Sequence, residues 1–369
     1  MTVTGVAAVS DPAGAVAAEK HPFVSQVTRY ADTVLFPSAL RTDRDGVDAG
    51  RIREFSELGL LNHVAPERFG GAALDRVSDR RVHEIIAGAC LNTYLVWAQH
   101  APIVGRLTKN LAEGKDLPDI GYDVLHGRLL LGAAISDVRR FPHHFISAAR
   151  TSGGWVFLGV VSWVSGWGLN TVLTVAAVEP STRTVVTAFV PVGERTRAEP
   201  LSLAALGGSR TEQVVLDEVF VPDGNVIGTQ DLDAWRNEDF GTAGDARPHH
   251  FGLAATVLRE LEQSPNPRAV EVAQIWRERV EQLRSDAYAL ADEAFAAGNP
   301  RHRLDERLAV KAAAGEMLST LARALVVARA GHGIRLDDTA QLYVRSALFV
   351  LVQGQSTDVR DVQLGLLAR

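Results

Sequence analysis

The stretch LGGSRTEQVVLDEVFVPDGNVIG, Leu206 to Gly228, decides how the rest of the chain is read. A Gly-rich turn leads into EQVVLDEVFV, which has the length and the β-branched, aromatic content of a strand. The upstream runs WVFLGVVSWV (155–164), VLTVAAVE (172–179) and TVVTAFVP (184–191) share that texture. Gly153-Gly154 and the run Glu179 to Thr182 supply turns between them. A β domain is therefore expected over 129–232. It has neither an alternating βαβ pattern nor a GxGxxG turn, which argues against a doubly wound nucleotide fold.

On both sides of this domain the period changes to that of helices. Before it, Phe23, Val27, Tyr30, Ala31 and Val34 share one helical face, and Asp48 is placed to cap a helix carrying Ile52, Phe55, Leu58 and Leu61. Pro66 and Gly70-Gly71 break the pattern, which resumes through Val82, Ile86, Cys90, Tyr94 and Trp97 towards Leu107. After it come helical stretches over 251–263, 268–297, 304–330 and 341–351. Breaks at Pro265 to Pro267, Gly298 to Pro300 and Gly331 to Gly333 imply an up-and-down bundle. The expected organisation is a loose tail over 1–20, an N-terminal helical domain over 21–128, the β domain, and a helical bundle over 233–369.

The composition excludes several functions. With 369 residues, 46% of them hydrophobic, the chain can build a sizeable core, and a formal charge of −6 leaves no excess positive charge for a nucleic-acid backbone. Cys90 is the single cysteine, so no intrachain disulfide or CxxC metal knuckle can form, and its setting reads as a buried helical thiol. The opening residues lack the basic start and apolar stretch of a signal peptide, and no run reaches the ~18 apolar residues of a membrane span. A cytoplasmic protein without a membrane partner is expected. His143 and His144, with His249 and His250, occur without HExxH or a carboxylate-spaced cluster, so no metal site is expected. No GxSxG elbow supports a hydrolase.

Four motifs resemble the acyl-CoA dehydrogenase superfamily: GLLNHVAPERFGG (59–71), GGWVFLGVVSWVSGWG (153–168), the Leu206–Gly228 stretch, and the closing ARAGHGIRLDDTAQLYVRSALFVLVQGQSTDVRDVQLGLL. In the third, Thr211, Val214, Asp217, Val219, Val221, Pro222, Asn225 and Gly228 all fit the family's exit strand. The resemblance implies an α+β multidomain protein: an N-terminal helical domain, a central β-barrel-like domain and a C-terminal up-and-down bundle. It implies FAD as cofactor, met by Trp163, Val164 and Ser165 of a hairpin, with Ser136 as a further hydroxyl. Gly331, Gly333 and Gly354 match late elements that reach the cofactor in the family, partly across a subunit boundary, which implies a homodimer or homotetramer.

The chain departs from the family at three places. Gln353 stands where the family's catalytic glutamate precedes the closing turn, and an amide is no general base. The Arg-x-x-Phe-Gly grip on the FAD pyrophosphate is missing from QSPNPRAVEVAQIWRER, where Arg268 is the nearest substitute. AAISDVRRFPHHF replaces the family's Thr-Glu and Gly-Ser-Asp elements. Three functions follow. The first is a flavin-dependent oxidoreductase acting on an acyl thioester of CoA or a carrier protein with a non-standard base, passing electrons to an acceptor. The second is a two-component monooxygenase using O2 and reduced flavin, FMN or FAD, from a separate flavin reductase, with His100, His249 or His250 near the flavin. The third is a non-redox, flavin-free member of the fold.

Overall fold

The computed structural model describes residues 18–368. The helices before the sheet are α1 (Pro22–Tyr30), α2 (Phe36–Asp45), α3 (Ala49–Glu57), α4 (Arg76–Ala89), α5 (Leu91–Ala98), α6 (Ala101–Ala112) and α7 (Asp119–Leu125). The strands are β1 (Leu131–Ala134), β2 (Ser147–Thr151), β3 (Gly154–Val164), β4 (Val172–Glu179), β5 (Thr184–Pro191), β6 (Thr196–Pro200), β7 (Glu212–Pro222) and β8 (Val226–Asp231). Then follow α8 (Leu232–Ala243), α9 (Pro248–Glu262), α10 (Pro267–Ala296), α11 (Leu304–Arg329), α12 (Thr339–Val352) and α13 (Thr357–Leu367). The order of helices, strands and helices is the one the sequence implies. Of the tail expected over 1–20, residues 1–17 lie outside the described residues and 18–20 are helical. Among the described residues no helix is long and apolar enough to cross a membrane.

The chain divides into two compact units: Met1–Leu40, Arg80–Leu91 and Asn237–Arg369 in one, Arg41–Asp79 and Asn92–Arg236 in the other. The second unit holds the sheet, in the order β6-β7-β3-β2-β4-β5-β8, with β1 paired to β4 in parallel. The exit strand is β7, antiparallel to β3 from Gly154↔Pro222 to Val164↔Glu212. Alternate residues of the strands form the core: Phe157, Val161 and Val164 of β3 meet Val175, Val186, Val214 and Leu216. Strands β4 and β5 are buried almost throughout because both faces are covered. Val172 and Phe189 pack against Val104, Leu107 and Leu125, while Ala176 and Val185 pack with Val138, Leu232 and Trp235. That double cover is why VLTVAAVE reads as a continuous apolar run rather than an alternating one.

Asp48 caps α3 as the sequence predicts, its Oδ1 accepting from Arg51 N at 3.0 Å. Two expectations need correction. Cys90 is buried but sits between α4 and α5, outside either helix. His100 precedes the first turn of α6 rather than lying within a helix, because Pro102 lacks the N–H that would continue one from α5.

In the first unit, α4 and α9 meet at glycine. A Cβ on Gly252 would stand 2.1 Å from the Glu84 carbonyl oxygen, and one on Gly88 would stand 2.5 Å from that of Gly252. Thr256 Oγ1 donates to the Gly88 carbonyl at 2.9 Å. Both obstructing atoms are backbone, so neither can swing away. Gly252→Ala should therefore cost about 1–3 kcal/mol by forcing the helices apart, read as a lower urea midpoint.

Candidate active site

In the second unit, the end of β3 carries Ser162, Trp163, Val164 and Ser165 into a turn. Register shifts at Phe157/Gly159 and Val161/Val164 re-aim this end of the strand. Val164 faces the core, while Trp163 is 44% exposed between neighbours that are closed. An exposed indole on a buried strand end is an unused aromatic face. The residue before Trp163, Ser162, is held by a carboxylate that carries no local sequence signature. Asp137, 2% exposed, accepts Ser162 N–H and Ser162 Oγ, both at 2.8 Å. Ser162 Oγ also meets His144 Nε2 at 3.0 Å and accepts from Arg140 Nη2 at 2.9 Å. Ser136 opens the same short 3-10 turn and is exposed.

Ser165 is held differently. Its Oγ lies 2.7 Å from Thr211 Oγ1, which lies 2.7 Å from Ser209 Oγ. Gly166 N donates to Ser209 O at 2.9 Å, Trp167 N to Arg210 O at 3.0 Å, and Asn170 Nδ2 to Ser165 O at 3.0 Å. The opposing loop is itself constrained. Leu206 and Arg210 adopt left-handed φ of 56° and 50°, and a Cβ on Gly208 would fall 1.9 Å from Thr42 O. The Gly-rich turn that opens the exit strand is thus needed for close approach to the end of α2.

His100 belongs to this unit and is fully buried. Its Nε2 donates to Leu61 O at 2.6 Å and its Nδ1 accepts from Leu131 N at 3.1 Å, so both nitrogens are engaged with backbone. Burial lowers its pKa to about 4, with the Leu61 carbonyl opposing and His63 adding to the shift.

In the first unit, α12 ends at Gln353, followed by Gly354 at φ 62°. Gln353 Oε1 is buried with no hydrogen-bond partner among the described residues. Lys311, a buried cation on α11, donates to the carbonyl of Ala243 and, at 3.4 Å, to that of Gly354. His249 and His250 stack at 4.5 Å in the first turn of α9. Burial first, then the charges of His250, Arg247 and Lys311, lower the His249 pKa well below the ordinary value. Burial and Lys311 bring His250 to about 3. Asp245 is paired with Arg307 at 2.6 Å. Gly331 and Gly333 sit on the turn after α11, where a Cβ on Gly331 would meet nothing and one on Gly333 would press on Val326 O at 3.0 Å. Arg268 is a surface residue paired with Glu271.

The expected site residues thus fall into two groups. Trp163, Val164 and Ser165 are contiguous in the second unit, with Ser136 on the turn whose Asp137 grips Ser162. Lys311 links the Gln353-Gly354 turn to the neighbourhood of His249 and His250 in the first. Lys311 was not legible as a site residue, since lysines in amphipathic helices are ordinarily solvated.

The lowered histidines have a consequence for stability. Their folded pKa values lie below the ordinary 6.5 expected of the unfolded chain, so the unfolded state takes up protons first as pH falls. The stability they contribute is complete above 6.5 and is lost as pH falls towards 4 and then 3. The melting temperature should decline over that window, and His100→Gln should shallow the slope. A melting temperature independent of pH there would contradict the buried, neutral rings.

At the end of β3 the open aromatic face of Trp163 and the fixed hydroxyl of Ser165 have the chemistry that an isoalloxazine edge calls for. The family model for the acyl-CoA dehydrogenase N-terminal domain matches residues 17–112. The short-chain specific acyl-CoA dehydrogenase of Homo sapiens mitochondria is 23% identical over 385 residues, spanning 95% of this chain and 90% of that protein. Among solved structures, butyryl-CoA dehydrogenase from Megasphaera elsdenii is similar with a TM-score of 0.77 at 14% identity, covering 94% of this chain and 97% of that one. PigA with FAD and proline gives a TM-score of 0.76 at 13% identity, covering 94% and 96%.

Proposed function

Residues 17–112 match the acyl-CoA dehydrogenase N-terminal family and the fold is that of acyl-CoA dehydrogenases, and on that premise we propose that the chain is a flavin-dependent oxidoreductase working with reduced flavin and O2. The observation that carries this reading is Gln353, which stands at the turn where the resemblance implies a carboxylate base. Gln353 is an amide, Asp245 is held by Arg307, and His250, with a pKa of about 3, is too weak a base to abstract a carbon-bound proton at neutral pH. When bound, the flavin supplies two electrons and a route to oxygen. The chain's own residues bind and orient: Trp163 gives the ring a wall and Ser165 fixes its edge. His100 is assigned to the architecture, because both of its nitrogens are bonded to backbone. A loosely held flavin tail agrees with the missing Arg-x-x-Phe-Gly and with the outward, paired Arg268. Exposed Val327, Ile334, Leu336, Leu348 and Val352 on the last helices and their connection support a homo-oligomer.

A second reading, acyl-thioester dehydrogenation with a non-standard base, is favoured by the similarity to the human short-chain enzyme along 95% of this chain. One experiment separates the two. Protein loaded with FAD is mixed anaerobically with a panel of acyl-CoA esters. The expected result is a flavin that stays oxidised, while product forms only with a reductase, NADH and oxygen; bleaching by an acyl-CoA would establish the second reading. Gln353→Glu restores a carboxylate at the turn. Bleaching gained by that variant alone would mean that the acyl pocket is intact and only the base is missing.

A further inference from the structure

The hydroxyls of Ser165, Thr211 and Ser209 form a buried chain whose direction is fixed at its far end. Each hydroxyl has one proton to give and two lone pairs to receive. Ser209 Oγ donates to the Leu206 carbonyl at 2.7 Å, so it meets Thr211 Oγ1 only as an acceptor. Thr211 therefore gives its proton to Ser209 and must accept from Ser165, 2.7 Å away. The single proton of Ser165 points inward along this chain. What remains on Ser165 for a ligand is lone pairs. The arrangement is rigid, since the backbone on both sides of Ser165 is bonded to Ser209, Arg210 and Asn170. Ser209 and Thr211 are buried, so water does not readily reverse the direction.

We propose that this chain makes Ser165 a dedicated hydrogen-bond acceptor that selects the reduced form of the flavin. The inference rests on the reading that the hairpin meets the flavin edge. An oxidised isoalloxazine offers lone pairs at N1, N5 and both carbonyl oxygens, with N3–H as its sole donor. Two-electron reduction with protonation turns N5 into a second N–H donor. An acceptor-only hydroxyl gains a hydrogen bond from that new donor, whereas two lone pairs facing each other repel. The selected ligand is the state that a separate reductase would deliver.

The test is an anaerobic titration of flavin-free protein with FAD and with chemically reduced FAD, for wild type, Thr211→Val, Thr211→Ser and Ser165→Ala. Wild type should bind the reduced form more tightly by roughly fivefold to tenfold, the worth of one net hydrogen bond. Thr211→Val frees the Ser165 proton and should bring the ratio towards one. Ser165→Ala, which leaves the Thr211 to Ser209 bond in place, should do the same and carries the test if the valine variant fails to fold. Thr211→Ser should keep the wild-type ratio. Flavin bound with a ratio unchanged across all four proteins overturns the proposal and leaves the flavin function standing. No binding of either form by wild type would instead remove the underlying reading, and the proposal with it.

Discussion

Glu84→Leu should destabilise the protein by about 3–5 kcal/mol, because it removes one partner of a buried ionic network and strands the others. Glu84 on α4 is 3% exposed. Its carboxylate accepts from Arg284 Nε at 2.5 Å and Nη2 at 3.1 Å, from Tyr288 OH at 2.6 Å and from Arg81 Nη1 at 3.1 Å. Arg80 and Arg284 lie 4.5 and 5.2 Å from the centre of the Tyr288 ring, and Arg80 pairs with Asp292. Burial, followed by the Glu84 charge, pushes the Tyr288 phenol well above its ordinary pKa, so it remains a neutral donor. This network ties α4 to α10 beside the Gly88 and Gly252 contact. Urea unfolding measures the loss, and Glu84→Gln, which keeps the shape and some of the bonds, should lose less. A change under about 1 kcal/mol for the leucine variant would mean that the network is no better than a surface pair.

Asp137→Ala should have the second-largest effect, and it reaches function. The change leaves Ser162 N–H without its acceptor and Arg140 without its counter-charge, a loss of about 2–4 kcal/mol for charge-assisted bonds at a buried site. Because Ser162 precedes Trp163, the strand end loses its anchor and flavin affinity should fall about tenfold or more. Trp163→Ala is the control. Its side chain is nearly half exposed, so affinity should fall with only a modest change in unfolding midpoint. Equal stability of Asp137→Ala and wild type would contradict the anchoring role.

How far the sequence carried depends on how local each feature is. The exit strand, the Asp48 cap and the break at Gly298 to Pro300 were legible because turn and cap chemistry act over a few residues. Helix α8 is not legible: LDAWRNEDFGTA buries only Leu232, Trp235 and Ala243, so it shows no apolar stripe. Strand β6, TRAEP, is a polar edge, and edges lack the composition of central strands. In the site, Trp163, Val164 and Ser165 were legible as one motif. Their supports were not. Asp137 reaches Ser162 across 25 residues, Thr211 reaches Ser165 across 46, and Glu84 reaches Arg284 across 200. Pairings at such separations follow from packing, which no local pattern encodes.

Flavin binding itself tests the central claim most directly. Purified protein, freed of small molecules and titrated anaerobically with oxidised and reduced FAD and FMN, should bind at least one of these with a saturable fluorescence change. Trp163→Ala and Asp137→Ala should weaken that binding. Failure of the folded wild-type protein to bind any of the four would contradict a flavin-dependent oxidoreductase.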